Sequence, residues 1–334
     1  MIENARVLQP EFIPSEVEHR DGEINHLSHA LDPITRGERA ETAFLTGPSG
    51  AGKTCIAQFA LTRLRENVLD INHQYVNCWE DYSRFKTLYR ILDGINETLN
   101  IHRQSTPTDV LFDRLREYDG PPYVVILDEV DQLEDKGLLY DLYRISNLEL
   151  VLIANREEEL FADLGNRLSS RFSSCERIRF DQYTESELVS ILEARARWGL
   201  TAGAIGTSEL QVMANAAAGD ARTAIGILRT AARYADRDGV DRISVDVISE
   251  AIPEAKSEIH QKSLDKLNPH QQSLYEIIVD AGEITPSELY ERYTERVSDP
   301  KTKRMMRNYL SKMEHYNLII GEGKTRGRTY RPLS

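Results

Sequence analysis

Residues 47–54 read GPSGAGKT and fit the spacing G-x-x-x-x-G-K-[ST]. Glycines in such a loop let the backbone wrap a phosphate chain, and the amides point inward as an anion nest. Gly47, Gly50, Ala51 and Gly52 supply the turn, Lys53 reaches the β- and γ-phosphates, Thr54 ligates magnesium, and Cys55 follows in the same helix start. The chemistry is binding of ATP or ADP with Mg²⁺, with GTP as the second choice. A second acidic stretch, YVVILDEVD, ends an apolar run in Asp128 and Glu129. Asp128 at a strand end can orient a magnesium-bound water, so Thr54 and Asp128 form the expected metal pair, and Glu129 is placed to act as general base on the attacking water. Asn155 closes the next apolar run, LELVLIAN, where an amide can hold the lytic water or sense the γ-phosphate.

Three arginines extend this set. Arg167 and Arg171 in NRLSSRF lie four apart, on one face if the stretch is helical, and either can reach a neighbouring subunit's nucleotide and stabilise transition-state charge. Arg222 in GDAR opens a helix, where a cation opposes the helix dipole and needs an anionic partner. A bound γ-phosphate and Asp220 are the two candidates.

Elements must hold these groups together. Short apolar runs at 42–47, 74–78, 123–128, 149–155 and 176–180 alternate with helical patterns. That alternation predicts a parallel sheet covered on both faces. From Thr184 the pattern is wholly helical, and Thr184 with Glu187 makes a capping box. The expected organisation is a nucleotide-binding base over 1–180, a helical lid over 181–259, and a third domain over 260–334.

The third segment reads helix, helix, helix, hairpin, the order of a winged helix. Thr285 and Pro286 start its second helix as N-cap and first residue. The third helix is expected from about Pro300 to Tyr316. Met306, Tyr309, Leu310 and Met313 form its core stripe, while Arg304, Arg307, Asn308 and Ser311 form a short basic face suited to a major groove. Lys324, Arg326 and Arg328 lie among glycines at the hairpin tip, a shape that can straddle a backbone and enter the minor groove.

Charge supports that division. The 334-residue chain carries net −13, yet from His260 onward it holds 13 basic against 10 acidic residues, and from Lys301 nine against two. An acidic body with a basic end points to a polyanionic partner. Ten lysines against 31 arginines on an acidic surface suit a halophilic host, because carboxylates stay hydrated in concentrated salt. Cys55, Cys78 and Cys175 lack metal-ligand spacing and read as bystander thiols of a reducing compartment. No apolar run approaches the length of about 18 residues a membrane helix needs, and the N-terminus has no signal-peptide pattern, so a cytoplasmic, nucleoid-associated protein is expected.

The order of phosphate loop, acidic strand, asparagine strand, arginine box and GDAR lid resembles the AAA+ ATPases. The wording PSEVEHRDGEINHL, YVNCW, LDEVDQL, NRLSSRF, DQYTESEL and GDARTAIGILRTAARYA resembles the archaeal origin-recognition initiators, over nearly the whole chain. These are relatives of the eukaryotic origin recognition complex and the cell-division-cycle loader. The resemblance implies that Tyr183 and Arg195 line the nucleotide, and that residues 80–103, with Arg84, Lys86 and Arg90, form an insertion contacting DNA. Arg156 after Asn155 departs from the family, which usually has an acidic residue there. The implied function is an ATP-dependent initiator that holds duplex origin DNA and helps recruit a replicative helicase, with weak ATPase activity serving as a switch and other initiator copies as possible neighbours. The competing reading is a paralogous AAA+ DNA-binding regulator of transcription, copy number or transposition with little hydrolysis.

Overall fold

The computed structural model describes residues 1–157, 175–323 and 327–333. The chain divides into two compact units, Met1–Ala251 and Ile252–Ser334.

The first unit is built on a five-stranded sheet in the order β2-β3-β4-β1-β5, with every pairing parallel. Its strands are β1 (Ala43–Thr46), β2 (Asn72–Asn77), β3 (Tyr123–Asp128), β4 (Leu148–Ala154) and β5 (Glu176–Arg179). All five apolar runs thus become strands. β3 and β4 are buried at every residue, which is why they read as continuous rather than alternating apolar runs. One face of the sheet packs Val124, Ile126, Val151 and Ile153 against α1 (Asp21–Leu31) and α2 (Lys53–Asn67). The other packs Val125, Leu127, Leu150 and Leu152 against α3 (Arg84–Asp93), α4 (Thr108–Arg116) and α5 (Gly137–Tyr143).

The same unit continues into a helical lid of α6 (Glu185–Gly199), α7 (Thr207–Ala217) and α8 (Ala221–Arg237). The expected capping box is present: Glu187 N donates to Thr184 Oγ1 at 3.3 Å, and Thr184 N donates to Glu187 Oε2 at 2.7 Å. α7 ends on Ala218 in the left-handed region, with Gly219 following, and α8 starts on Asp220 as N-cap.

Two features of the structure bear on the expected domain limits. Residues 1–12, assigned to the base, hydrogen-bond to lid helices: Glu3 N and Asn4 N donate to Gly199 O, and Arg195 donates to the carbonyls of Val7 and Phe12. No local signal distinguishes these residues from base residues, because the contacts join positions nearly 200 apart. The division between units also falls at Ala251, inside α9 (Val245–Asp265), rather than at 260.

The second unit contains α10 (Pro269–Ala281), α11 (Pro286–Arg296) and α12 (Lys303–His315), then the antiparallel hairpin of β6 (Ile319–Glu322) and β7 (Thr329–Pro332). This is the helix, helix, helix, hairpin order expected of a winged helix. α10 opens with a capping box of Asn268 and Gln271 that the sequence reading did not single out. Thr285 caps α11 as expected, accepting from Glu288 N at 3.3 Å. Met306, Tyr309, Leu310 and Met313 are buried in a core with Leu274, Ile278, Leu289 and Tyr293, so the predicted stripe faces inward.

Candidate functional site

The phosphate loop joins β1 to α2, and its shape depends on two left-handed glycines with neighbours at close range. Gly50 has φ +70° and faces the Asp220 carboxylate; Gly52 has φ +92°, and a Cβ there would meet Tyr183 Oη at 2.6 Å. Both neighbours belong to the lid, and Ala221 N donates to Gly50 O at 3.1 Å. The start of α8 and the entry to α6 are therefore latched onto the loop. Asp220 also accepts from Thr223 N at 2.9 Å, so the residue that caps α8 is the one resting on Gly50. Ala51 is fully buried.

Lys53 Nζ donates to Gly47 O and Pro48 O, each at 2.7 Å, and to Asn155 Oδ1 at 3.2 Å. Strand order explains the last contact. β4 lies between β1 and β3, so the residue after β4 faces both the loop and the acidic strand end. Burial pushes the Lys53 ammonium down to about 8; nearby Asp128 opposes this, and Arg222 adds to it by repulsion. Arg222 thus lies close enough to Lys53 for their charges to interact.

Asp128 is buried, and its Oδ2 accepts from Thr54 Oγ1 at 2.6 Å and from Tyr75 Oη at 2.9 Å. Burial and the adjacent Glu129 carboxylate push its pKa up, against the two hydroxyl donors and Lys53. A hydroxyl and a carboxylate in contact are hard oxygen donors of the kind magnesium takes, one or two from protein with the remainder from water and phosphate. Glu129 adopts φ 57°, ψ 44°, a left-handed conformation that costs a non-glycine residue about 1–3 kcal/mol. The turn is held by Cys78 N donating to Asp128 O at 2.8 Å and Gln132 N donating to Glu129 O at 2.9 Å.

Two site-lining residues escaped the sequence reading. Tyr75 is one: alternation along β2 places it on a face, but only the β2–β3 register brings it to Asp128. Arg20 is the other. Its guanidinium lies 4.0 Å from the Tyr183 ring centroid, donates to Asp181 O and Glu23 Oε1, each at 2.7 Å, and sits over Phe180. It stands in the segment PSEVEHRDGEINHL, whose wording was its only signal.

Among the described residues, the other expected ones have partners within the chain or lie exposed. Arg195 is buried, with its guanidinium committed to Val7 O and Phe12 O, each at 2.8 Å, and stacked over Phe12. It anchors the N-terminal segment, and its charge also acts on Cys55, the residue after Thr54. Cys55 is near it, and burial pushes that thiol up. Arg84 was expected to contact DNA, yet it bridges Asp135 at 2.9 Å and Asp141 at 2.7 Å, tying α3 to α5. Two carboxylates neutralise this cation and lower its value as a phosphate contact. Lys86 donates to Glu80 O at 3.2 Å and lies over Tyr82. Arg328 is likewise drawn inward, its Nη2 bonding both Glu314 oxygens at 2.7 Å and so fastening the hairpin to α12. Arg304 and Arg307 are exposed on α12, with Asn308 and Ser311 partly so. Arg167, Arg171, Lys324 and Arg326 lie outside the described residues.

A phosphate loop after β1, carboxylates after β3, an amide after β4 and a lid closed on the loop define an AAA-type P-loop ATPase. The chain matches the AAA domain family over residues 36–161 and the Cdc6 AAA+ ATPase-type lid domain over residues 189–253. It is 61% identical over 308 residues to ORC1-type DNA replication protein 1 of Halobacterium salinarum, covering 92% of this chain and 100% of that protein. Over 330 residues it is 54% identical to ORC1-type DNA replication protein 9 of the same organism, covering 99% and 93%. Among solved structures, Aeropyrum pernix ORC1 in complex with DNA superimposes with TM-score 0.76 at 26% identity, covering 99% of this chain and 92% of that one. The protein belongs to the ORC1-type DNA replication protein family, as the wording of its motifs implied.

Proposed function

We propose that this protein is an ATP-dependent replication initiator that binds duplex origin DNA, using nucleotide state as a switch. The observation that carries this reading is the latch between lid and phosphate loop. Gly50 and Gly52 are covered by Asp220 and Tyr183 of the lid, so occupancy of the loop and placement of the lid are coupled through direct contact. Lys53 and the loop amides bind the phosphates, Asn155 orients the γ-phosphate end, and Glu129 takes a proton from the attacking water. Thr54 and Asp128 hold magnesium, which when bound neutralises phosphate charge. Arg222 contributes from the lid, and an arginine of NRLSSRF acts on a neighbouring copy. Turnover is slow in isolation, because the site is completed by that neighbour.

Residues 260–334 form the winged-helix DNA-binding domain, with α12 in the major groove and Arg304, Arg307, Asn308 and Ser311 reading it. The hairpin tip, with Lys324 and Arg326, contacts the backbone, and Lys86 in the 80–103 insertion adds a contact from the base. A replicative helicase is the downstream partner, and the nucleoid is the site of action. Genome-wide mapping of the protein on its host's DNA tests this: occupancy concentrated at replication start sites is expected. Occupancy at promoters or transposon ends instead would replace the initiator reading with that of a regulator.

A further inference from the structure

We infer that Tyr75 is a positioning residue that holds the Asp128 carboxylate for magnesium. The inference rests on the ATPase reading of the site and adds a residue to it. Three elements converge on one oxygen: Asp128 from the end of β3, Thr54 from the first turn of α2, and Tyr75 from β2, whose hydroxyls both bond Oδ2 at 2.6 and 2.9 Å. The register explains how Tyr75 gets there. β2 pairs Asn77 with Asp128 and Tyr75 with Ile126, so Tyr75 and Asp128 project from the same sheet face, the face α2 covers. A phenol is long enough to reach from one pleat position to the next; a shorter side chain on β2 would leave Oδ2 with Thr54 as its hydroxyl donor.

The chemistry of the arrangement follows from what Thr54 must do. When the Thr54 oxygen ligates a metal, its hydroxyl hydrogen needs an acceptor, and Asp128 Oδ2 is 2.6 Å away. That acceptor must not rotate. Torsions of an aspartate about its terminal bond are broad and roughly two-fold, so one hydrogen bond holds the plane poorly and two hold it well. The Asp128 carboxylate is buried, where each charge-assisted hydrogen bond is stronger than its counterpart in water. Tyr75's ring packs with the sheet core and its hydroxyl serves Asp128. It acts through Asp128, so its loss should appear as a metal defect rather than a nucleotide defect.

Tyr75→Phe keeps the ring and removes the donor. The test is the affinity of the full chain for a fluorescent ATP analogue, measured in EDTA and across a Mg²⁺ titration, beside the wild type. In EDTA, Tyr75→Phe should bind within about two-fold of wild type, which also shows that the fold is intact. The Mg²⁺ concentration giving half of the affinity gain should rise about ten-fold, the equivalent of about 1.4 kcal/mol. A Mg²⁺ midpoint equal to wild type overturns the inference, as does a variant weakened equally in EDTA and in Mg²⁺, which would assign Tyr75 to packing alone. Wild-type protein showing no Mg²⁺-dependent gain would overturn the ATPase reading together with this one. A normal wild-type response with an unmoved Tyr75→Phe midpoint overturns only the role of Tyr75.

Discussion

Lys53 should make ATP binding depend on pH in a defined window. Its ammonium is held at about 8 instead of 10.5 because it is buried before any phosphate arrives. Bound phosphates supply the missing negative charge and return the ammonium to its ordinary range. ATP binding above about pH 8 must therefore take up a proton. With a free-site value of about 8, uptake is about 0.1 proton at pH 7 and about 0.8 at pH 8.5. The same linkage weakens ATP affinity about 30-fold between pH 7 and pH 9.5. In the protein without nucleotide the folded value is depressed, so below 8 both states are protonated and the burial cost of about 3 kcal/mol is fully present. As pH rises from 8 to 10.5, the unfolded state holds more protons and this cost is relieved. Titration calorimetry in buffers of different ionisation heat reads the uptake directly. Equal proton uptake at pH 7 and pH 8.5 would refute the assignment of a desolvated, nucleotide-responsive Lys53.

Other outcomes follow from the same geometry. Glu129→Gln should retain ATP and DNA binding while lowering hydrolysis by about 10²-fold or more in single-turnover assays, the usual share of a general base. Gly52→Ala places a Cβ 2.6 Å from Tyr183 Oη on a backbone with φ +92°, so the ATP affinity measured by fluorescence should fall at least ten-fold. Arg307→Ala should weaken DNA binding across sequences and reduce the salt dependence of the binding constant by about one ion, measured by anisotropy in a salt series. Glu149 is buried on β4, which pushes its carboxyl up to about 7 from 4.5, so its ionisation costs about 3 kcal/mol above pH 7 and nothing below 4.5. Glu149→Gln should therefore raise the melting temperature at pH 8 and leave it nearly unchanged at pH 4.5.

The acidic, arginine-rich composition is consistent with the relatives in Halobacterium salinarum. Among the described residues, no helix is long and apolar enough to cross a membrane.

Taken alone, the amino-acid sequence determined whatever is local. GPSGAGKT, the apolar runs that became β1 to β5, the Thr184–Glu187 and Thr285 caps, and the α12 core stripe each draw their conformation from residues within a turn or two, and each stands where it was expected. The wording of the motifs carried the family as well. Tertiary structure decided what depends on pairing over long separations. Placing β4 between β1 and β3 is what sets Asn155 against Lys53, and no residue pattern within any one strand encodes that order. The charges of Arg84, Arg195 and Arg328 were visible as charges, but their partners Asp141, Val7 and Glu314 lie 57, 188 and 14 positions away. A guanidinium goes to whichever acceptor the fold brings nearest, so sequence shows the donor while the fold chooses the acceptor. Tyr75 shows the same division: its identity was in plain view as the first residue of YVNC, and its role appeared once β2 paired with β3 and Asp128 came within 2.9 Å.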